Sequence, residues 1–203
     1  FALSQCAKAV DKMAELSVET FYATTDLMYD YSEEKAEKVD ELEGVIDQYE
    51  ERLGYYLAKI SSFDVSRTEI DRIYDLQSFI GDFERIADHA KMMKTSFKKL
   101  NRKKSKFSEK GAAEISNMLN NAAEICKRSL DCFLNSDKNT AVTIIELNTQ
   151  INKICGKVIK SHKKRLKNGK CTVDMGFILS DLTNDVKSVS EHCKNIADTI
   201  CRA

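Results

Sequence analysis

FERIADHA at residues 83–90 and VKSVSEHC at 186–193 are two versions of one segment, set 103 residues apart. Each ends in an acid, a histidine and a small residue, and each lies on a long helical stripe. A second pair of segments repeats the relation. AEKVDELEGVID at 36–47 aligns with AVTIIELNTQIN at 141–152 at an offset of 105, keeping Ala, Glu, Leu and Ile in place. So small a difference between the offsets is what drift in loop length produces. The chain is therefore read as all-α, an internal duplication of two tandem three-helix bundles. The first repeat spans 1–100, a basic linker 101–107, and the second repeat 108–203.

Six apolar stripes step by three and four residues, the signature of helices with one buried face. The first runs from Leu3 to Tyr31 through Val10, Met13, Phe21 and Met28. The second follows Ser32, an N-cap residue with acids in the turn behind it, and carries Val39, Leu42, Ile46, Leu53, Leu57 and Ile60. The third opens near Ser66 and carries Ile70, Ile73, Leu76, Ile80, Phe83, Ala87, Ala90 and Phe97. Beyond the polar joint Asn101–Lys106 lie three more, Ile115 to Phe133, Ala141 to Leu166, and Phe177 to Ile200. Proline is absent and glycine numbers only 7, so nothing breaks these helices early. Helices of ~28 residues measure ~42 Å, which predicts an elongated molecule. Short connections near Ser61–Val65 and Asn168–Cys171 predict antiparallel neighbours, with Gly169 stopping the fifth helix. Side-by-side and end-to-end packing of the two repeats both satisfy the pattern.

Lys+Arg and Asp+Glu are equal at 32 each, which argues against a nucleic-acid binder, since that class needs a basic excess. The charges are unevenly placed. Asp30 to Glu51 holds ten acids against Lys35 and Lys38, whereas Lys157 to Lys170 holds seven bases and no acid. Seven cysteines, an odd number without CxxC, read as reduced thiols rather than a disulfide framework. In the sequence no thiol has an evident activating neighbourhood. No apolar run approaches the ~18 residues of a membrane span. The chain opens on Phe1 rather than Met and is read as a piece of a longer or processed protein. A Gly-rich phosphate loop, a nucleophile with a recognisable base and the ExxH pairs of a di-iron bundle are all missing, so the chain is read as a non-enzyme.

Glu43 and Asp47 stand four residues apart, as do Glu84 and Asp88. Each of the four lies one position after a seam residue and so flanks the buried stripe. Like charges at this spacing cost roughly 0.2–0.5 kcal/mol per pair, and partial burial adds to that. A cation held through oxygen ligands would compensate, or a nearby base such as Arg85. His89 and His192 point about 100° away from the acid before them and are read as helix-surface or helix-contact residues.

FERIADHA resembles the ERxxDHA signature of PhoU domains, regulators of phosphate uptake built from two three-helix repeats. In that family paired ExxxD motifs hold metal clusters, often iron. The resemblance implies metal-ligand roles for Glu43, Asp47, Glu84 and Asp88, with iron, manganese or zinc as the ion. In the second repeat the matching positions are Asn148, Asn152, Lys187 and Glu191, so Glu191 is a weaker candidate and at most one metal site survives. Lys187 is expected to pair with Glu191 in place of an ion, and Arg85 has become Ser188. The second half, from Asn152 through HKKRLKNGKC at 162–171 to SEHCKNIA at 190–197, resembles PhoU-like domains at the C-terminus of sodium/phosphate cotransporters. That branch implies a cytoplasmic regulatory domain at the inner face of the cell membrane. Its partner would be a transmembrane phosphate transporter domain or subunit, and a homodimer is a further candidate assembly. A metal-storage or metal-dependent catalytic bundle and a ligand-free scaffold are the alternatives. Lys160, Lys163, Lys164, Arg165 and Lys167 read either as a solvated helix C-terminus, where cations suit the macrodipole, or as a contact for an anionic membrane surface or acidic transporter loops.

Overall fold

Serine and aspartate caps set where most of the helices begin. The computed structural model describes residues 2–103 and 106–202. Its helices are α1 Ala2–Asp26, α2 Glu33–Ser61, α3 Arg67–Arg102, α4 Glu109–Asn135, α5 Lys138–Lys167 and α6 Val173–Arg202. Ser32 Oγ accepts the Lys35 amide to start α2, and Ser66 forms a reciprocal capping box with Glu69 to start α3. Ser108 caps α4, and Asp137 Oδ1 accepts the amides of Asn139 and Thr140 to open α5. Gly169 takes φ +65, and the Lys170 amide returns to the Arg165 carbonyl at 2.9 Å, so α5 stops where its glycine predicts. Ser136 closes α4 in the left-handed region at φ 50 without being glycine. The helical path of α3 continues through Arg102, into the expected linker; Lys104 and Ser105 of that linker lie outside the described residues.

The first helix ends earlier than its apolar stripe suggests. The amides of Leu27, Met28 and Tyr29 turn to the carbonyls of Thr24, Thr25 and Asp26, three residues back, and the chain leaves the helix there. Leu27 is still buried in the core, and Met28 packs against it. The turn keeps the helix's apolar rhythm, so periodicity alone carries the helix too far.

Within each repeat the three helices close on a shared apolar seam. The duplication is legible in that core: Leu76, Phe83, Ile86, Ala90, Met93 and Phe97 of α3 correspond to Leu179, Val186, Val189, Cys193, Ile196 and Ile200 of α6, and all twelve are buried. The repeats lie side by side. α3 packs along α6, and α1 packs on α4, where the Tyr22 hydroxyl donates to the Ala123 carbonyl at 3.2 Å and Tyr29 Oη meets Ser116 Oγ at 2.7 Å. The Phe133 ring of α4 sits edge-on to Phe79 and Phe83 of α3, with centroids 4.9 and 5.1 Å away. At 36 residues, α3 is about 54 Å long. No helix among the described residues is long and apolar enough to cross a membrane.

Candidate functional site

The acid-rich stretch of α2 lies against a row of lysines on α3. Lys91 Nζ is 2.6 Å from Glu43 Oε2, Lys94 Nζ 2.6 Å from Asp40 Oδ1, and Lys98 Nζ 2.6 Å from Glu33 Oε2. The three pairs climb α3 as they descend α2, as antiparallel neighbours must. Glu43 is buried, so Lys91 answers a charge that would otherwise be costly. Asp47 is exposed one turn further along α2 and adds to the field on Lys91.

Glu84 and Asp88 share a turn of α3 with Arg85 between them. Arg85 Nε lies 3.5 Å from Glu84, and its Nη1 lies 3.2 Å from Asp88. The guanidinium is largely solvated, whereas the Glu84 side chain is only 13% exposed. Burial first, then the charges of Asp88 and Glu50, push the Glu84 carboxyl up to about 7 against the opposing pull of Arg85. Near neutral pH Glu84 therefore still holds its proton in part.

The donor types suit a hard cation, but the arrangement does not fit one. An ammonium occupies the position facing Glu43, a guanidinium faces Glu84 and Asp88, and among the described residues no three His, Cys, Asp or Glu side chains converge on a metal position. A metal ion at Glu43, Asp47, Glu84 and Asp88 would have to displace Lys91. Sequence reasoning named Arg85 as a compensating base and missed Lys91. The available signal was Lys91's own repeat partner, Lys194, at the same offset of 103.

In the second repeat Asn148 takes the place of Glu43. Its amide donates to Glu191 Oε2 at 3.2 Å and its Oδ1 accepts the Ser190 hydroxyl at 2.7 Å. Asn152 donates to the Asn148 carbonyl at 3.1 Å. The cation beside Glu191 is Lys194, at 3.2 Å, and not the expected Lys187; Lys194 also reaches Asp198 at 3.5 Å. Asn148 draws the Glu191 carboxylate toward α5, within reach of the lysine three residues on, while Lys187 contributes its charge near Cys155.

Between the repeats, His89 Nδ1 lies 3.0 Å from Asp185 Oδ1, and His192 Nδ1 lies 2.9 Å from Asp82 Oδ1. Asp82 and Asp185 are themselves equivalent positions, each seven residues before its repeat's histidine. The two bonds are thus one contact made twice, and α3 and α6 cross antiparallel about a local twofold. The imidazoles stack between them at 6.0 Å. Both histidines are helix-contact residues, as their position predicts, and their aspartate partners went unread. A polar pocket of about 450 Å³ opens beside this crossing, lined by Glu50, Ser78, Glu84, Arg85, His192 and Arg202 among others.

Of the basic stretch, Lys160, Lys163, Lys164 and Lys167 are exposed. Arg165 is not part of that surface. Its Nη1 lies 2.7 Å from Glu114 Oε2 and 2.8 Å from Ser161 Oγ, tying α5 to α4. Helical phase turns it inward while its lysine neighbours face solvent. An apolar groove of about 650 Å³ runs between the start of α1 and the end of α2, over Cys6, Tyr49, Leu53, Tyr56, Ile60 and Phe63.

Two equivalent three-helix units, clasped by reciprocal His–Asp bonds and carrying carboxylate–lysine clusters at the seam of their second and third helices, define a duplicated helical bundle. The chain belongs to the PhoU domain family, which matches it over residues 10–93 and 115–200. Its structure is similar to PhoU from Pseudomonas aeruginosa, with a TM-score of 0.89 at 15% identity, over 98% of this chain and 95% of that one. It is also similar to the phosphate transport system regulatory protein PhoU from Streptococcus pneumoniae, with a TM-score of 0.85 at 15% identity, over 98% of this chain and 92% of that one. At such identities the likeness speaks for the fold. No curated protein matches the sequence.

Proposed function

We propose that this chain is a regulatory domain of phosphate uptake, forming the cytoplasmic C-terminal part of a sodium-dependent phosphate transporter and acting through protein contacts rather than catalysis. Family membership supports the regulatory role. The observation that carries the contact reading is the exposed lysine face at the end of α5, Lys160, Lys163, Lys164 and Lys167, which faces outward without an interleaved acid. Such a face suits an anionic bilayer or acidic transporter loops, at about 1 kcal/mol per base near a membrane. The apolar groove beside Tyr56 and Phe63 offers a second surface for a protein partner.

Charge reversal at Lys163, Lys164 and Lys167 tests this reading. The expected result is weaker binding to vesicles containing phosphatidylserine, or to the transporter's membrane part, with helical content unchanged. Wild-type binding by the triple variant to both targets would overturn it. The residual negative charge around Glu84 is the feature a cation would answer. Because Lys91 already faces Glu43 and Arg85 faces Glu84 and Asp88, manganese or iron uptake by the wild-type chain is weak in this reading and strengthens when Lys91 is removed.

A further inference from the structure

The buried positions of α1 and α4 coincide at an offset of 105: Val10, Met13 and Phe21 match Ile115, Met118 and Cys126. The α2 and α5 stripes keep the same offset, so the mouth of the seam between first and second helix can be compared across the repeats residue by residue. In the second repeat that mouth is sealed. Arg165 of α5 lies 2.7 Å from the Glu114 carboxylate of α4, and the Ser161 hydroxyl donates to the same carboxylate at 2.6 Å. The equivalent residues of the first repeat are Ile60, Ala9 and Tyr56. No polar clasp forms among them, and the apolar groove of about 650 Å³ stands open there.

The fold does not require apolar residues at this mouth. Tyr56 and Phe63 are 55% and 65% exposed, and their counterparts are Ser161 and Asn168. Rings left in water where the sister repeat carries polar side chains mark a contact surface rather than a core. Tyr55 braces Tyr56 edge-on, with centroids 5.7 Å apart. Tyr49, Tyr56 and Phe63 step by seven residues, and Leu53 and Ile60 fill the floor between them. The row is about 21 Å long, and a heptad row of this kind is what one helix presents to another. The edge of the groove sets the charge of what fits it. Arg52 and Lys59 line it, no acid does, and neither base has an ion pair or hydrogen bond among the described residues. The two bases also stand seven residues apart, about 10 Å along one side of α2. A helix lying along α2 in either direction repeats its own side chains at that interval. A fatty acid, with one charge at one end, answers only one of the two bases.

On the reading that the chain acts through protein contacts, we propose that this groove takes an amphipathic helix of a protein partner, with an apolar face flanked by acids seven residues apart. The apolar face packs along the row from Tyr49 to Phe63, and the acids pair with Arg52 and Lys59. The partner thus supplies from outside the closure that Glu114 and Arg165 supply within the second repeat.

The test uses the full chain and two fluorescein-labelled helical peptides of about 18 residues, long enough to cover the row. Both carry leucine at the a and d positions of a heptad; one has glutamate at the flanking e and g positions and the other lysine. Fluorescence anisotropy at about 0.15 M salt, where distant charges are screened, is expected to show the glutamate peptide binding about tenfold more tightly than the lysine peptide. Tyr56→Ser with Phe63→Asn, which installs the residues of the second repeat, should weaken the glutamate peptide by about tenfold. Arg52→Gln with Lys59→Gln should remove the preference for glutamate. All four residues are exposed, so helical content should not change. No binding of the glutamate peptide, equal binding of the two peptides, or an undiminished effect in either double variant overturns the proposal. So does a different occupant: self-association in sedimentation velocity, or binding to phosphatidylglycerol vesicles, that Tyr56→Ser with Phe63→Asn abolishes. Charge reversal at Lys163, Lys164 and Lys167, on the other repeat, should leave peptide binding unchanged, so failure at the groove and failure at the lysine face are read separately.

Discussion

Replacing Glu84 by glutamine should stabilise the protein at alkaline pH and do little in acid. Glu84 is an acid whose folded value, about 7, lies above its ordinary 4.5. Between those values the folded chain holds a proton that the unfolded chain has released, so stability falls as pH rises through this window and is level above it. At 1.36 kcal/mol per unit, the rise sets a ceiling of about 3 kcal/mol on the cost of ionising Glu84 in the fold. Glu84 is not fully buried, and the solvated Arg85 lies beside it, which brings the expected gain from Glu84→Gln to roughly 1–2 kcal/mol at pH 8. The glutamine amide can still donate to Asp88, as the protonated acid does. Urea unfolding with chelator present, at about pH 4.5, 6 and 8, measures the difference between the two chains. A glutamine variant that is less stable at pH 8, or whose difference is the same at all three values, would refute the assignment of unpaid charge to this carboxyl.

Lys91→Met should cost about 2 kcal/mol in the same assay, because it leaves buried Glu43 without its cation; calorimetric titration should then show tighter manganese binding than in wild type. Ser136→Gly should raise stability by up to about 1 kcal/mol, since Ser136 occupies a left-handed conformation that glycine adopts freely. Asp185→Ala, which removes the partner of His89 across the α3–α6 crossing, should cost about 1–2 kcal/mol in urea unfolding. Asp82→Ala should cost a similar amount, because the twofold relation makes the contacts equivalent, with the Asn195 bond lost in addition.

Much of the architecture was legible before any coordinate. The Ser32 cap, the opening of α3 near Ser66 and the Gly169 stop are local features, each set by a few neighbouring residues, and the structure places them where the sequence puts them; the apolar stripes hold along most of their length, but Ile70 and Phe177, near the starts of α3 and α6, are exposed. The duplication was legible because equivalent core positions keep their chemistry at a constant offset. The end of α1 was not, since Leu27 continues the buried rhythm after the backbone has turned.

The four acids of the first repeat show where local reading stops. Their spacing places Glu43 and Glu84 beside the seam, and that holds. What neutralises them depends on a neighbour helix: Lys91 reaches Glu43 only because α2 and α3 run antiparallel at one particular register. The same applies to Arg165, counted among the surface bases by its position in a run and turned to Glu114 by α4.

By itself, then, the sequence determined an all-α chain of two equivalent three-helix units and which faces of those helices are apolar, because periodicity and capping are properties of one helix at a time. The tertiary structure alone decided that the repeats lie side by side, that Asp82 and Asp185 clasp the opposite repeat's histidines, and that Arg165 ties α5 to α4 through Glu114. Those contacts join residues brought together by helix register and crossing, and a charged or polar side chain takes its partner from whatever the packing sets within about 3 Å of it.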